Sequence, residues 1–353
     1  MSLAEGVAAR VAYKFYASAA ITPGSEPSPA SDPGASGAQI LRRVSSSLTL
    51  AKDTYQSNEI RSDRQIADFR HGVKRVTGGV SGELSPATYG DFFEAALRGT
   101  WAAAVTASQS DFTSVSADNS SSKFTFTAGN PVTNGFRVGM VIRFSSLSDA
   151  DNNSKNFVIL AFGGTQNREV TVYPAPDTMT ADSSFSLASV GQRCIVPSSS
   201  HVSRKAAVEI WNEDVDIARL FTELRITGFN VQLPATGMAT VDFTMLGRNM
   251  TLYEATNAPF FSSPTSVTTT GITAGVNGLL RISGSTVAVV TAANIQMDLA
   301  GTADPVVGSN LVPEIFLGRA NVTGQLTAFF ENADLIEDFI NEEEIELLVY
   351  LTA

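Results

Sequence analysis

Cysteine is almost absent from this chain, and histidine nearly so. Cys194 is the only thiol in 353 residues, which excludes an internal disulfide framework and a cysteine metal site. It reads as a small, partly buried residue beside a strand. His71 and His201 stand far apart with no partner pattern and read as surface residues. No G-x-S-x-G, H-E-x-x-H, glycine-rich phosphate loop or paired-carboxylate motif occurs. These absences argue against an enzyme and leave no candidate for a catalytic, cofactor or metal role.

Charge is also scarce. Charged residues make up 17% of the chain, and the formal net charge is −11. Phosphate binding needs a basic surface, so this balance argues against a nucleic-acid clamp. No segment approaches the roughly 18 consecutive apolar residues of a membrane span. The start, MSLAEGVAARVAYKFYASAA, lacks a basic head followed by an apolar run, because Glu5, Arg10 and Lys14 interrupt it. No signal peptide is expected, and the product is expected to stay in the cytoplasm where it is made.

What the chain does contain is Ser, Thr, Gly and β-branched residues, which lean mainly β. Its length leaves room for one large or two medium domains. The stretch 57–101 is the best organised. Val76, Gly78, Val80, Gly82 and Leu84 alternate with Thr77, Gly79, Ser81 and Glu83, the period of a strand with one covered and one wet face. Ser85 and Pro86 then offer an N-cap and a first-turn proline. Tyr89, Phe92, Phe93, Ala96 and Leu97 form one helical stripe, closed by Gly99.

Elsewhere, 23–37 is a Pro/Gly/Ser/Ala tract unable to bury a core. From 102 to about 191, Thr, Ser and Asn dominate. Short strands recur near 123–127, 138–144, 157–161, 170–172 and 185–187, with turn signals between them as in small barrels. The acidic turn at Asp149–Asn153 departs from a calcium loop at Ser154 and Leu160 and reads as a plain turn. Residues 223–250 read as a long hairpin, with a bulge signal at Gly228. On strand parity alone, Thr240, Asp242, Thr244, Gln296 and Asp298 belong to the polar faces of their strands.

Charge is unevenly placed. Arg61, Asp63, Arg64, Asp68, Arg70, His71, Lys74 and Arg75 form a cluster with a basic excess, whereas no Lys or Arg follows Arg319. The acidic counterpart includes Glu337, Asp338, Glu342, Glu343 and Glu344, beside the stripe of a helix at Leu335, Ile336, Phe339 and Ile340. The cluster is open to three readings: a solvated arm, a DNA contact, or a surface that docks on a neighbouring copy. Charge complementarity favours docking, with Arg61, Asp63, Arg64, Arg70 and Lys74 as candidates on one side and the five acidic residues on the other.

The run EIRSDRQIADFRHGVKRVTGGVSGELSPATYGDFFEAALRG resembles the signature region of tail tube proteins from long-tailed, non-contractile phages and related gene-transfer particles. Arg10, Ala12, Tyr13 and Lys14 fit the family's opening "R-x-A-Y-K" element, although its usual following acid is missing. G-R-A-N-V-T-G at 318–324 matches a second family element before an acidic helix. The block around G-F-R-V-G-M-V-I-R-F resembles the small β-barrel insertion of larger members.

The resemblance implies a tail-tube β-sandwich/barrel with flanking α-helices. Residues 1–101 would form its first part, with 22–39 a mobile loop and 57–75 an arm. Residues 102–191 would be an inserted small β-barrel domain and 192–353 the second part. It further implies stacked homohexameric rings in the virion tail, assembled in the host cytoplasm. Tape measure and terminator proteins would be partners, DNA would be present only in transit, and neither cofactor nor membrane would be involved. The five polar-face residues become lumen-facing candidates. A secreted β-rich surface or adhesion module is the alternative, and the missing signal peptide counts against it.

Overall fold

The computed structural model describes residues 8–17, 32–60, 62–63, 65, 68–275, 278–282, 285–286, 290–329, 336–337, 340–342 and 347–351. In chain order the elements begin with β1 (Ala9–Phe15), β2 (Gln39–Ile40), β3 (Ser45–Ser46), β4 (Thr49–Gln56), β5 (Phe69–Glu83) and the helix α1 (Gly90–Leu97). Next come β6 (Thr106–Ser108), the short helix α2 (Gln109–Phe112), β7 (Val115–Asp118), β8 (Lys123–Phe126) and β9 (Val141–Ser145). They are followed by β10 (Asn156–Gly163), β11 (Glu169–Tyr173), β12 (Met179–Asp182) and β13 (Ser186–Ser189). The last group is β14 (Ala206–Asn212), β15 (Ile217–Pro234), β16 (Thr240–Gly247), β17 (Asn249–Glu254), β18 (Gly278–Ile282), β19 (Ser285–Thr286), β20 (Val290–Asp298), β21 (Asn321–Ala328) and β22 (Leu347–Leu351). Strand far outweighs helix among the described residues, so the fold is mainly β.

Strand β15 organises the larger sheet. Its first half pairs with β14 and β17, and its second half with β16 and β20. The change of partner coincides with a bend. Glu223 has φ +52, and the register against β16 slips between Ile226 and Gly228. Bulges bend and twist a strand in this way. Two sheet portions sharing β15 therefore face each other as a sandwich.

The apolar parity of each portion fills the space between them. Val11, Tyr13, Val208 and Ile210 come from one side, and Val76, Val80, Val241, Phe243 and Met245 from the other. Helix α1 completes this core. Phe92 is fully buried, with its ring 4.8 Å from Tyr13 and 5.3 Å from Phe243. Burying such a side chain contributes about 1.5–3 kcal/mol.

The helix begins a turn later than its sequence signals indicate. Ala87 takes φ +61, which breaks helical continuity after Pro86. The Ser85 hydroxyl bonds Thr88 Oγ1 at 2.6 Å instead of capping the helix. At the other end Arg98, not Gly99, takes the left-handed position, at φ +54. Gly99 is required for space, since a Cβ there would run into the Ile195 carbonyl.

Residues 106–189 build a separate eight-stranded antiparallel sheet in the order β12-β7-β8-β11-β10-β9-β13-β6. It wraps a core containing Phe112, Phe124, Phe126, Phe136, Phe144 and Phe157, with Phe124 and Phe144 ring centroids 4.6 Å apart. The expected barrels need correcting, because no sheet among the described residues closes. Here β12 pairs only with β7, and β6 only with β13. These end strands have four and three residues, too few to lay a ladder across the gap. At the end of β12, Asp182 accepts from the backbone N–H of Ser148, in the β9–β10 connection, at 2.6 Å and from its hydroxyl at 3.3 Å. The acidic turn is locked by Asn152, which is fully buried; its amide exchanges hydrogen bonds with the backbone of Asp177 at 2.8 and 2.9 Å.

The block is tied to the sandwich where the chain leaves and returns, Ala102 N–H donating to the Arg193 carbonyl at 2.8 Å. A three-stranded sheet, β19-β18-β22, packs Leu280, Val349 and Leu351 beside Leu233 and Ala293. Of the segment expected to be a mobile loop, 22–31 lies outside the described residues, whereas Ala38 is buried and Gln39 opens β2.

Candidate functional surface

One side of the large sheet is polar from edge to edge. Through β3, β5, β16, β15, β20 and β21, one row of directly paired residues reads Ser45, Ser81, Asp242, Asn230, Gln296, Thr323. A second reads Gly79, Thr244, Gly228, Asp298, Asn321, and a third Glu83, Thr240, Gln232, Asn294, Gln325. The intervening rows are apolar and face the core, as in Val80, Phe243, Phe229 and Met297. Paired residues in a ladder share a face, so the period of two separates these sets.

The structure thus brings Thr240, Asp242, Thr244, Gln296 and Asp298 together on one face. Thr244, Gln296 and Asp298 are exposed, while Thr240 and Asp242 are half-buried. The lumen-facing candidates left out Ser81, whose wet parity the sequence shows, together with Asn230, Gln232, Asn294, Thr323 and Gln325. Alternation marks Asn230 and Gln232 within β15, but their place beside Asp242 depends on cross-strand register. The three rows contain Glu83, Asp242 and Asp298 and no Lys or Arg. Their electrostatics are acidic.

The bend in β15 holds a buried ionic cluster that the sequence does not announce. Glu223, Lys205 and Arg248 are all nearly fully buried. Glu223 faces Lys205 at 3.4 Å and pairs with Arg248. Burial pulls the Lys205 pKa down, and Glu223 pulls it partly back. Arg248 Nε donates to the Val312 carbonyl at 2.6 Å, and Arg225 pairs with Glu314 at 3.1 Å. These contacts fasten the 312–314 segment to the bend.

The charged arm is an exposed ribbon of β4 and β5, so Phe69–Arg75 are strand. Arg70 pairs with Asp68 at 2.8 Å, and Arg75 with Asp53 at 2.8 Å, so two of its cations are already matched within the ribbon. The Lys74 backbone N–H donates to the Asn310 carbonyl at 2.9 Å, and Asp63 is exposed. Glu337 and Glu342 are exposed as well. Arg61, Arg64, Asp338, Glu343 and Glu344 lie outside the described residues, as does most of the expected acidic helix.

A polar face backed by a sandwich core agrees with the family comparison. A family model for the phage tail tube protein matches residues 6–352. The chain belongs to the phage tail tube protein family. No curated protein matches it. Membership in this family makes the tail tube protein a structural component of a phage tail rather than an enzyme. Tail tube proteins oligomerise and interact with other tail components.

Proposed function

We propose that six copies of this tail tube protein close into a ring, and that rings stack into a hollow tube through which phage DNA passes. The observation that carries the reading is the polar face ending in two bare edges. Among the described residues β21 pairs only with β20, and β3–β4 only with β5. An edge strand of eight residues is a template for another chain unless something covers it.

Every neighbouring pair along β3–β4, β5, β16, β15, β20 and β21 is antiparallel. The number of strand positions is even, so the two edges run in opposite directions. Rotation about a tube axis to which the strands run at a tilt would then bring β21 antiparallel to the β3–β4 edge of the next copy. Thr240, Asp242, Thr244, Gln296 and Asp298 would line the bore. A wall without basic rows gains nothing from counterion release and so does not hold DNA.

Stacking draws on the other axis. The β4–β5 ribbon leaves one end of the sheet, and β21 leads toward Glu337 from the opposite end, because Asn321 pairs with Asp298 and Ala328 with Val290. Opposite patches on one chain meet in head-to-tail contacts that propagate. Arg61, Asp63, Arg64, Arg70 and Lys74 would thus face Glu337, Asp338, Glu342, Glu343 and Glu344 of a copy in the next ring. The 102–191 block would be an inserted domain on the outside. Tape measure and terminator proteins would meet the tube, and assembly would take place in the host cytoplasm.

Electron microscopy of the purified protein tests the reading. Rings or tubes of uniform bore are expected. Dispersed monomers at concentrations up to the millimolar range would overturn it and return attention to a secreted surface module.

A further inference from the structure

Both bare edges of the polar sheet carry exposed apolar residues, Val44 and Tyr55 on one and Val322 and the following Phe329 on the other, and the two valines lie beside the paired rows. Val44, just before β3, is 64% exposed, and Val322, in β21, is 63% exposed. Register places Val322 on the core side of the sheet, and strand alternation from Ser45 assigns Val44 to the same side. Ser45 joins Ser81 in the polar row, their hydroxyls 2.7 Å apart, so Val44 turns to the opposite face. Val322 is paired with Met297, which is 2% exposed. Along the same row Phe243 and Phe229 lie under Phe93 of α1, at ring distances of 5.1 and 5.2 Å. The cover stops short of both ends.

We infer that Val322 of one copy packs against Val44 of the next and so sets the register between subunits. This deepens the ring reading and rests on it. Antiparallel strands put directly opposed side chains on one face. With Val322 opposite Val44, Asn321 falls opposite Ser45, and the polar face continues across the junction. A slip of one residue would carry Val322 onto the polar face.

The level register, with Thr323 opposite Ser45, keeps the faces but sets Val44 against Gly324 and Val322 against Ser46. Neither valine then gains an apolar neighbour. It also closes the sheet without stagger, whereas a closed sheet of tilted strands requires one. The valine pair supplies a stagger of two residues per junction. The partner is a second copy because the two valines sit on opposite edges of one sheet, which a cyclic neighbour brings together.

Cross-linking in assembled tubes is the test, with Cys194→Ser as background. Directly opposed antiparallel residues have Cα atoms about 4.5–5.5 Å apart, within the roughly 4.4–6.8 Å a disulfide spans. The variant V44C/V322C should give a ladder of covalent oligomers under mild oxidation. Mixed single variants V44C and V322C should stop at dimers, and neither alone should cross-link. S46C/V322C reports the level register and should cross-link poorly.

Tubes that form normally but cross-link through S46C/V322C rather than V44C/V322C would overturn the valine pair and leave the ring intact. Cross-linking of V44C alone would mean a two-fold contact and overturn it equally. Absence of tubes from the unmodified protein would instead remove the ring reading. Val44→Ala and Val322→Ala provide a readout independent of cysteine chemistry. Neither side chain packs inside the monomer, and each should weaken subunit association about tenfold. Unchanged tube yield from both substitutions at limiting protein would also overturn the proposal.

Discussion

Two sheets in this chain end in different ways. The eight-stranded sheet of 106–189 stops on strands of four and three residues, and Asp182 and Asn152 tie up nearby backbone groups. Its phenylalanines are enclosed, so it has its own core. The polar sheet stops on β21, eight residues long and exposed along most of its length, and on an interrupted β3–β4 edge. At that interruption Gly78 adopts φ +128, and a Cβ there would run into the Ser47 carbonyl, while Leu48 tucks into the core. One sheet encloses its own aromatic core and ends on short strands. The other leaves ladder groups and two valines for a neighbour to cover.

That contrast is most directly broken by deletion. Replacing residues 104–189 with a short Gly-Ser linker should leave tubes visible by electron microscopy, because the stem is already closed between Ala102 and Arg193 at 2.8 Å. Removing 321–328 should abolish them. Loss of tubes in the first variant would make the eight-stranded sheet part of the wall.

A smaller effect sharpens the difference in how the two cores are held. Glu223→Ala leaves Lys205 and Arg248 buried without their carboxylate, which should cost about 3–5 kcal/mol of unfolding stability. Chemical denaturation followed by Trp211 fluorescence, from the sandwich, measures it. A loss under about 1 kcal/mol would show that the bend does not depend on the cluster.

The smallest effect is a pH dependence confined to the sandwich. Glu209 is buried and accepts from the Phe260 and Phe261 N–H groups at 2.5 and 3.2 Å. Burial raises its pKa above the ordinary 4.5, with those two N–H groups and Arg10 pulling the other way. The folded state therefore binds the proton more tightly than the unfolded chain. Stability from this group is greatest below the ordinary value and declines as pH rises through the folded pKa. Glu209→Gln should flatten that decline in thermal melts across the acidic range. An unchanged slope would assign the pH dependence to other groups.

Much of this was legible in order of residues alone. Alternation in 76–84 and 240–246 identifies strands and their wet faces without reference to any partner, because side chains of a strand alternate by covalent geometry. The mainly β character and the polar parity of Thr240, Asp242, Thr244, Gln296 and Asp298 follow from that local rule. Strands β6, β7 and β12 were not legible. They are three or four residues long and rich in Ser, Thr and Ala, and hold their shape through pairing rather than propensity. The start of α1 was misplaced for a related reason: the Ser85 hydroxyl had a better partner in Thr88 than the helix backbone offered.

Sequence by itself determined the wet and covered faces of the alternating strands, since those depend on period and polarity within one segment. Only the tertiary structure decided which segments lie side by side. Asn230 stands between Asp242 and Gln296, and Glu223 meets Lys205 and Arg248, because the bend of β15 carries it from one sheet portion into the other. It also decided that Val44 and Val322 come to opposite edges of the sheet, both exposed. Register across strands distant in sequence is set by the packing of a shared core, and no local pattern encodes it.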